Sequence, residues 1–423
     1  MAHTELPESC QLYPTMRYAV LPPFQRSPLQ PSFYAHDPDT GALVAPLDPT
    51  KPFVVYHPDF LKIVGSQPSL KVIASSEGDK EGGYPLFHEA GVWLEETQEV
   101  AFTSNCAPQF RNLIGKIRLD ALDAPHSRAV DSSWDILTPV PAASSAYPGN
   151  TVVASNGATI YRPDGGKDGN DKLLVCCQGT ASLPSSLSVV DPQTGESYPI
   201  LNNFHGRPFS AINDVVVLPP PAPVGEEWYT TDRLDLHSDP LTTIWFTDPT
   251  YATAQGYKGA PQMPCQVYCF TPATGDLAGD GSMHPQRPGT IYVYDVVRAR
   301  PGEKDAQGRE VDLTAVQPRL ANRRVFAYVD SGIPDGIKTD KEGNVYSGTG
   351  EGVSVWNPTG TLLGKIVLFP PSLPSSLPTT RGEHTVRFCA NFNLCPGGRM
   401  FILAEDRAYV AQLGEGVRGA LLP

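Results

Sequence analysis

Four polar residues of this chain stand where turn chemistry alone does not call for them. Glu89 in FHEAGVW, Asn213 and Asp214 in AINDVVV, and Asp335 in IPDGIKTD each open a short apolar, β-branched run. Carboxylates combined with an amide oxygen make a hard oxygen donor set, which suits Ca2+ or Mg2+ better than zinc. Each residue also has a plainer reading. Asp335-Gly336 could be only a turn, and Asn213-Asp214 only a cap or Asx-turn. Three runs opening alike on an acid or amide favour one shared site. His88, beside Glu89, and His384 in GEHTVRF are of a type that moves protons near neutral pH, with a structural, hydrogen-bonded role as the alternative. There is no Gly-x-Ser-x-Gly elbow and no phosphate-binding Walker loop. Gly348-Thr349-Gly350-Glu351-Gly352 lies between two strands with no helix after it, so it reads as a hairpin turn.

Something must bring residues so distant in sequence together. A strand-then-turn unit recurs: LSVVDPQTG, QVYCFTPATG and GVSVWNPTG each run into a polar residue, Pro, and Thr-Gly. Proline presets φ and glycine supplies the left-handed position, so each unit is a hairpin corner. The prolines, Pro192, Pro272 and Pro358, are 80 and 86 residues apart, about twice the 40–50 residues of one propeller blade. Middle strands interleave with these units at EVAFTSN, KLLVCCQG, TIWFTDP, NVYSGTG and MFILAED, and INDVVVLP and PDGIKTDKEG open them. Opener, middle strand and hairpin strand in fixed order predict four-stranded blades around an axis, an all-β propeller. In such a ring the residues just before the innermost strands converge on the central channel.

The remaining segments fit around that ring. PDFLKIVG (58–65) is the best short helix, and LKVIAS (70–75) can supply the outer strand that closes the circle. Residues 1–57 are expected to be a Pro-rich arm on the surface, and 58–423 a single domain. DGGKDGNDK (164–172) lacks EF-hand spacing and reads as a solvated hairpin loop. The insertion at 219–241 reads as a lid-like or disordered loop.

Composition narrows the function. With 44 Pro and 38 Gly among 423 residues, yet 40% hydrophobic residues, the chain suits many short strands better than long helices. A net charge of −13 argues against nucleic acid or an anionic membrane as partner. No apolar window of about 18 residues exists, so no transmembrane helix is expected. The start, MAHTELPESCQLYP, lacks the pattern of a secretory signal, and no N-glycosylation sequon occurs, so a cytoplasmic protein is expected. The eight cysteines include Cys176-Cys177 and the pair Cys265 and Cys269, with no Cys-x-x-Cys spacing. Buried thiols are expected rather than a zinc site or a disulfide framework.

Taken together, FLKIVGSQPSLKVIA, FHEAGVW, EVAFTSN, LLVCCQG, ILNNFHGRPFSAINDVVV, IWFTDPTYATAQGYKGAPQMPCQVYCFTP and PDGIKTDKEGNVYSGTGEGVSVWNPTGTLLGKI resemble the gluconolactonase/regucalcin (senescence-marker-protein) family, in its fungal-type lactonohydrolase branch. The resemblance runs in family order over most of residues 58–412. It implies a six-bladed β-propeller with one divalent cation, usually calcium, in its channel, and hydrolysis of lactones; some relatives hydrolyse organophosphates. Carried over by position, Glu89, Asn213 and Asp335 are metal ligands, and Asp335 is also the base or nucleophile. Asn213, Asp214, Arg207 in HGRPF and His88 make up the expected substrate contacts.

Two departures stand out. Gly91 follows Ala90 where the family usually has Pro. After ATGDL (273–277) the family continues with a strand, a Pro-Asn-Gly motif whose Asn ligates the metal, and a middle strand. This chain has AGDGSMHPQRPG (278–289) and goes straight to TIYVYDVV. The fourth blade is thus expected to lack about two strands and one ligand. The leading expectation is metal-assisted lactone hydrolysis on a small-molecule substrate. The cation would polarise the carbonyl, and Asp335 or a water it activates would attack. A catalytically impaired propeller that binds calcium or a small molecule, and a lactone-processing enzyme of a biosynthetic pathway, are the alternatives.

Overall fold

In most strands of this protein both faces are covered, so apolar residues run on without polar interruption. From Leu173 to Cys177 every residue is buried. Leu173, Val175 and Cys177 pack with one neighbouring sheet, while Leu174 and Cys176 pack with the next. The period-2 alternation of a strand therefore sends the adjacent thiols of Cys176 and Cys177 to opposite sides. All seven described cysteines are unbonded.

The computed structural model describes residues 6–13, 34–36, 43–46, 48–76, 85–105, 113–118, 134–145, 149–163, 171–221, 223–224, 242–271, 276–279, 289–313, 316–329, 331–369 and 387–420. His384, the loop 164–170, residues 225–241 of the insertion and 280–288 lie outside the described residues. Among the described residues no helix is long and apolar enough to cross a membrane.

The architecture is a β-propeller. Blade one comprises Glu89–Leu94, Glu99–Thr103, Ile114–Arg118 and Trp134–Leu137, paired in sequence order. Blade two comprises Ser155–Tyr161, Lys172–Cys177, Ser186–Val190 and Glu196–Leu201, with Val140–Pro141 added in parallel at its outer edge. Blade three comprises Val215–Leu218, Thr243–Asp248, Gln266–Thr271 and Asp276–Gly279. Blade five comprises Ile337–Thr339, Val345–Thr349, Gly352–Trp356 and Leu362–Val367. Blade six comprises Asn391–Cys395, Arg399–Ala404 and Arg407–Gln412, and its fourth strand is Ser69–Ser75 from the other end of the chain. The expected closing strand is therefore in place.

Among the described residues the fourth position holds a two-stranded sheet, Thr290–Val297 with Arg319–Tyr328. Its Ile291, Ala327 and Val329 pack against Trp356 of blade five, with Phe326 and Leu362 alongside. These two strands correspond to the outer half of a blade, and no inner half is found among the described residues, in keeping with the short connection from blade three.

Two segments of the N-terminal region join the ring as strands. Phe53–Val55 pairs with the outer strand of blade five, and Cys10–Leu12 pairs in parallel with Phe53–Val55. The predicted helix is present as one turn, Phe60–Val64, and Phe60, Ile63 and Val64 are buried in the core between blades five and six. A Cβ on Gly364 would come within 2.3 Å of the Phe60 ring, so that glycine makes room for the helix.

Candidate active site

The inner strands of the blades begin at one end of the channel, and the backbone there holds the polar openers together. Glu89 starts blade one and is almost fully buried. Immediately after it the pairing slips between Ala90 and Val92, with Ala90 at φ 70° and Gly91 at φ 68°. Proline is locked near φ −65° and could not occupy position 91 in this bulge, which accounts for Gly91. A bulge of this kind re-aims the neighbouring side chain. The Glu89 Oε2 accepts hydrogen bonds from Asn391 Nδ2 at 2.7 Å and from the Ala90 N–H at 3.3 Å. Asn391 opens blade six and is completely buried, and its Oδ1 accepts the Phe392 N–H at 2.8 Å.

On the other side, Asn156 of blade two accepts from Asn213 Nδ2 at 2.8 Å, and Thr103 Oγ1 holds the Asn156 carbonyl. The Gly157 N–H donates to the Asn213 carbonyl, while the Asn213 N–H donates to Thr247 O. Asp214 is fixed through its own N–H on Thr247 Oγ1 and through Oδ1, which accepts the Val215 N–H at 2.8 Å. Asp335 precedes the inner strand of blade five; its N–H donates to Gly348 O, and the next N–H, that of Gly336, donates to Ala390 O on blade six.

These acids repel one another electrostatically. Burial drives the Glu89 carboxyl above its ordinary range, and the charges of Asp335 and Asp214 add to that; His88 and Asn391 oppose it. Asp335 is raised by burial and by Asp214 and Glu405. Asp214 is raised by burial, against the pull of Lys338. At His88 burial works against the charged ring, but Glu405, 2.8 Å from Nδ1, and Glu89 outweigh it, and the net shift is upward. The Tyr251 phenol is pushed up by burial and then by Asp335 and Glu89, which places this half-exposed ring in the field of both acids. The thiols of Cys176 and Cys389 are driven well up by burial and by the same carboxylates, so they are not poised as nucleophiles.

A second layer braces the loop that carries Asn213. The buried Asp248 carboxylate accepts the N–H groups of Ser210 and Ala211 at 3.0 and 2.7 Å. Lys258 Nζ ties the carbonyls of Gln178 and Phe209 to Ser185 Oγ, and Tyr257 OH bonds Gln178 Oε1.

Behind the acids lies a cavity of about 400 Å³. Asp214 and Lys338 are on its wall, together with inner-strand residues of blades one, two, three, five and six and the tail residues Gly419 and Ala420. None of the described residues of the two-stranded sheet at position four lines it.

The structure thus gathers Glu89, Asn213, Asp214, Asp335 and His88 at one channel mouth. It leaves Arg207 exposed on the hairpin Asn203–Phe204/Arg207–Pro208, with no described bond to this group. Sequence reasoning missed Asn156, Asn391, Glu405, Tyr251 and Lys338. The opener rule that picked Asn213 would have found Asn156 in SNGATIY and Asn391 in NFNLC had it been applied to every blade; nothing in the sequence marks Tyr251 or Lys338.

Among the described residues no three His, Cys, Asp or Glu side chains form a metal-binding group on their own. The donor set nonetheless fits a hard divalent cation: buried carboxylates at elevated charge cost stand beside amides from two further blades, a mixed oxygen set of the type calcium takes.

No family model matches the chain. It is 29% identical over 205 residues to the lactonohydrolase oryL of Aspergillus oryzae, covering 43% of this chain and 42% of that protein. It is 24% identical over 241 residues to a gluconolactonase of Zymomonas mobilis, covering 54% and 57%. The chain is a distant homologue of the lactonohydrolases and gluconolactonases. The matches span about half the length of these curated relatives. A gluconolactonase from Xanthomonas campestris superposes with a TM-score of 0.53 at 19% identity, over 86% of this chain and 95% of that one, a likeness of fold.

Proposed function

We propose that this distant lactonohydrolase homologue opens lactones at the mouth of its channel. The observation that carries the reading is the convergence of Glu89, Asp214 and Asp335 with Asn156, Asn213 and Asn391 at the inner-strand starts of five blades, beside a cavity. Glu89 and Asp335, with the amide oxygen of Asn213, would hold a divalent cation, most naturally calcium. When bound, that cation supplies Lewis-acid polarisation of an ester carbonyl.

The protein's own groups do the rest. Asn391 anchors one oxygen of Glu89, and the Asn156 bond fixes the amide plane of Asn213, so both ligands are presented without rotamer search. Asp335 has no described side-chain hydrogen bond and a raised affinity for protons, which suits a general base working near neutrality. It accepts a proton from the attacking water at a carboxylate oxygen and returns it to the ring oxygen as the ester C–O bond breaks. Tyr251, half-exposed, stands in the field of Asp335 and Glu89.

The test is pH-stat hydrolysis of γ- and δ-lactones, including glucono-δ-lactone, before and after chelation. Turnover is expected to depend on added calcium and to fall by at least about 1,000-fold in Asp335→Asn. Turnover that survives both chelation and Asp335→Asn overturns the reading. That no inner half of blade four is found among the described residues favours one alternative, a propeller that binds without turnover. Calcium binding with no lactone opened across the panel would select it.

A further inference from the structure

A complete propeller fills the wedge between blades three and five with four strands. Here the two strands described at position four pack outward, on Trp356 and Leu362, and the central cavity, lined by the inner strands of the other five blades, is bounded on this side by blades three and five. Its walls follow from strand alternation. On blade three, Val215, Val217 and Phe246 face blade two and belong to that core, while also reaching the cavity. Val216, Trp245 and Val267 point the other way, to where the inner strands of blade four would lie, and all three line the cavity. Across the gap stands Ile337 of blade five, 43% exposed and also on the wall. At the far end the C-terminal tail crosses, with the Ala420 N–H on Thr339 O and Gly419 bridged to Asp340.

The charged groups on the wall are mostly engaged. Arg162 is held by Asp171 at 2.6 Å, and Lys338 sits in the field of Asp214. Burying an alcohol without a partner costs about 1–3 kcal/mol in protein contexts, and the stretch of wall made by Val216, Trp245, Val267 and Ile337 offers a hydroxyl-rich ring no carboxylate, amide or hydroxyl, whereas Asn393 and Thr159 stand on the opposite side. An alkyl or aryl group meets valine, isoleucine and tryptophan, and a cavity of about 400 Å³ is in the size range of small-ligand pockets.

We propose that the side of the central cavity between blades three and five, where no inner strand of blade four is found among the described residues, is the chamber for the apolar substituent of the substrate. The preferred lactones then carry an alkyl or aryl group of about five carbons or more, with the ring at the acids and the substituent against Val216, Trp245, Val267 and Ile337. This rests on the lactonase reading for the ring, but the chamber itself can be tested apart from it.

The experiment follows kcat/KM along γ-lactones from γ-valerolactone to γ-undecalactone, with glucono-δ-lactone beside them. Each methylene is expected to raise kcat/KM by up to about fourfold, the factor given by roughly 0.8 kcal/mol per buried CH2, until the chamber is full. Ile337→Trp, at an exposed position that tolerates bulk, and Val267→Trp are each expected to flatten the series. A flat wild-type series, or glucono-δ-lactone as the best substrate, overturns the chamber. If no lactone is opened, 2-alkylcyclopentanones, which have no ester to cleave, are titrated against tryptophan fluorescence. Affinity rising with chain length in wild type and lost in the two variants supports the chamber while the lactonase reading falls; affinity indifferent to chain length overturns it.

Discussion

Asn391→Leu keeps the side-chain volume at a fully buried site and removes its polar atoms. With Glu89 ionised, above its raised midpoint of about 8, the hydrogen bond it deletes is charge-assisted, Asn391 Nδ2 to Glu89 Oε2 at 2.7 Å, a class worth about 1.5–3 kcal/mol. The Phe392 N–H also loses its acceptor, Asn391 Oδ1 at 2.8 Å, adding about 1 kcal/mol. A loss of roughly 3 kcal/mol is therefore expected. Spread over a chain of 423 residues, with an unfolding entropy of about 2.1 cal/mol/K per residue, this corresponds to a Tm lower by roughly 3 °C. Function should suffer more than stability, because Glu89 is no longer held in place: losing such a support typically costs about 10–100-fold in metal affinity or activity. Urea denaturation gives the first number, and a calcium titration of lactone hydrolysis the second. A variant that loses less than about 1 kcal/mol and keeps its calcium dependence would refute the claim that Asn391 positions Glu89.

Two other perturbations test neighbouring parts of the site. In Gly157→Ala the new Cβ would lie 2.5 Å from Asp214 Oδ1 and 2.6 Å from the Asn213 carbonyl, so both opener residues must shift. The expected result is a drop of about tenfold or more in kcat/KM, with about 1–3 kcal/mol of stability lost, whereas Gly416→Ala, which meets nothing within 4 Å, leaves both unchanged. Burial raises Asp248 from 3.8 to about 6, against the Ser210 and Ala211 N–H groups and the Lys258 charge. Because the folded midpoint is raised, its stabilising contribution is complete below about pH 4 and is lost as pH climbs through 6. Relative to Asp248→Asn, wild type should lose roughly 3 kcal/mol between pH 4 and pH 7, read from urea unfolding at each pH; parallel profiles would contradict this.

Much of the ring was legible because its corners are made by local chemistry. Pro and Thr-Gly at the hairpins, and the run LKVIAS reserved for closure, depend on residues that act within their own turn or strand. The same holds for Glu89, Asn213 and Asp335, which stand at openers where a local turn did not fully account for them. Asn156 and Asn391 went unseen because an Asn before a strand looks the same whether it caps a turn or reaches across to another blade; only the cross-blade bonds to Asn213 and Glu89 separate the two. The deficit in blade four was visible as missing strands. That the described pair would pack on Trp356 depends on contacts between segments far apart in sequence, which no local pattern encodes. Arg207 illustrates the converse: a residue close in sequence to the site, on a hairpin that carries it away into solvent.

The clasp between Ser69–Ser75 and Arg407–Gln412 has a consequence for how the protein comes into being. Ser76 meets Asp406 across 330 residues of chain, so on the ribosome the early strand has no partner until all of those residues have been made. Phe53–Val55, which needs Leu362–Val367, waits almost as long. During that interval two apolar strands present open edges, the condition most prone to wrongful pairing. Closure of the ring is therefore set by Arg407–Gln412, and a chain that stops before these residues would remain an unclosed arc rather than a slightly shorter ring.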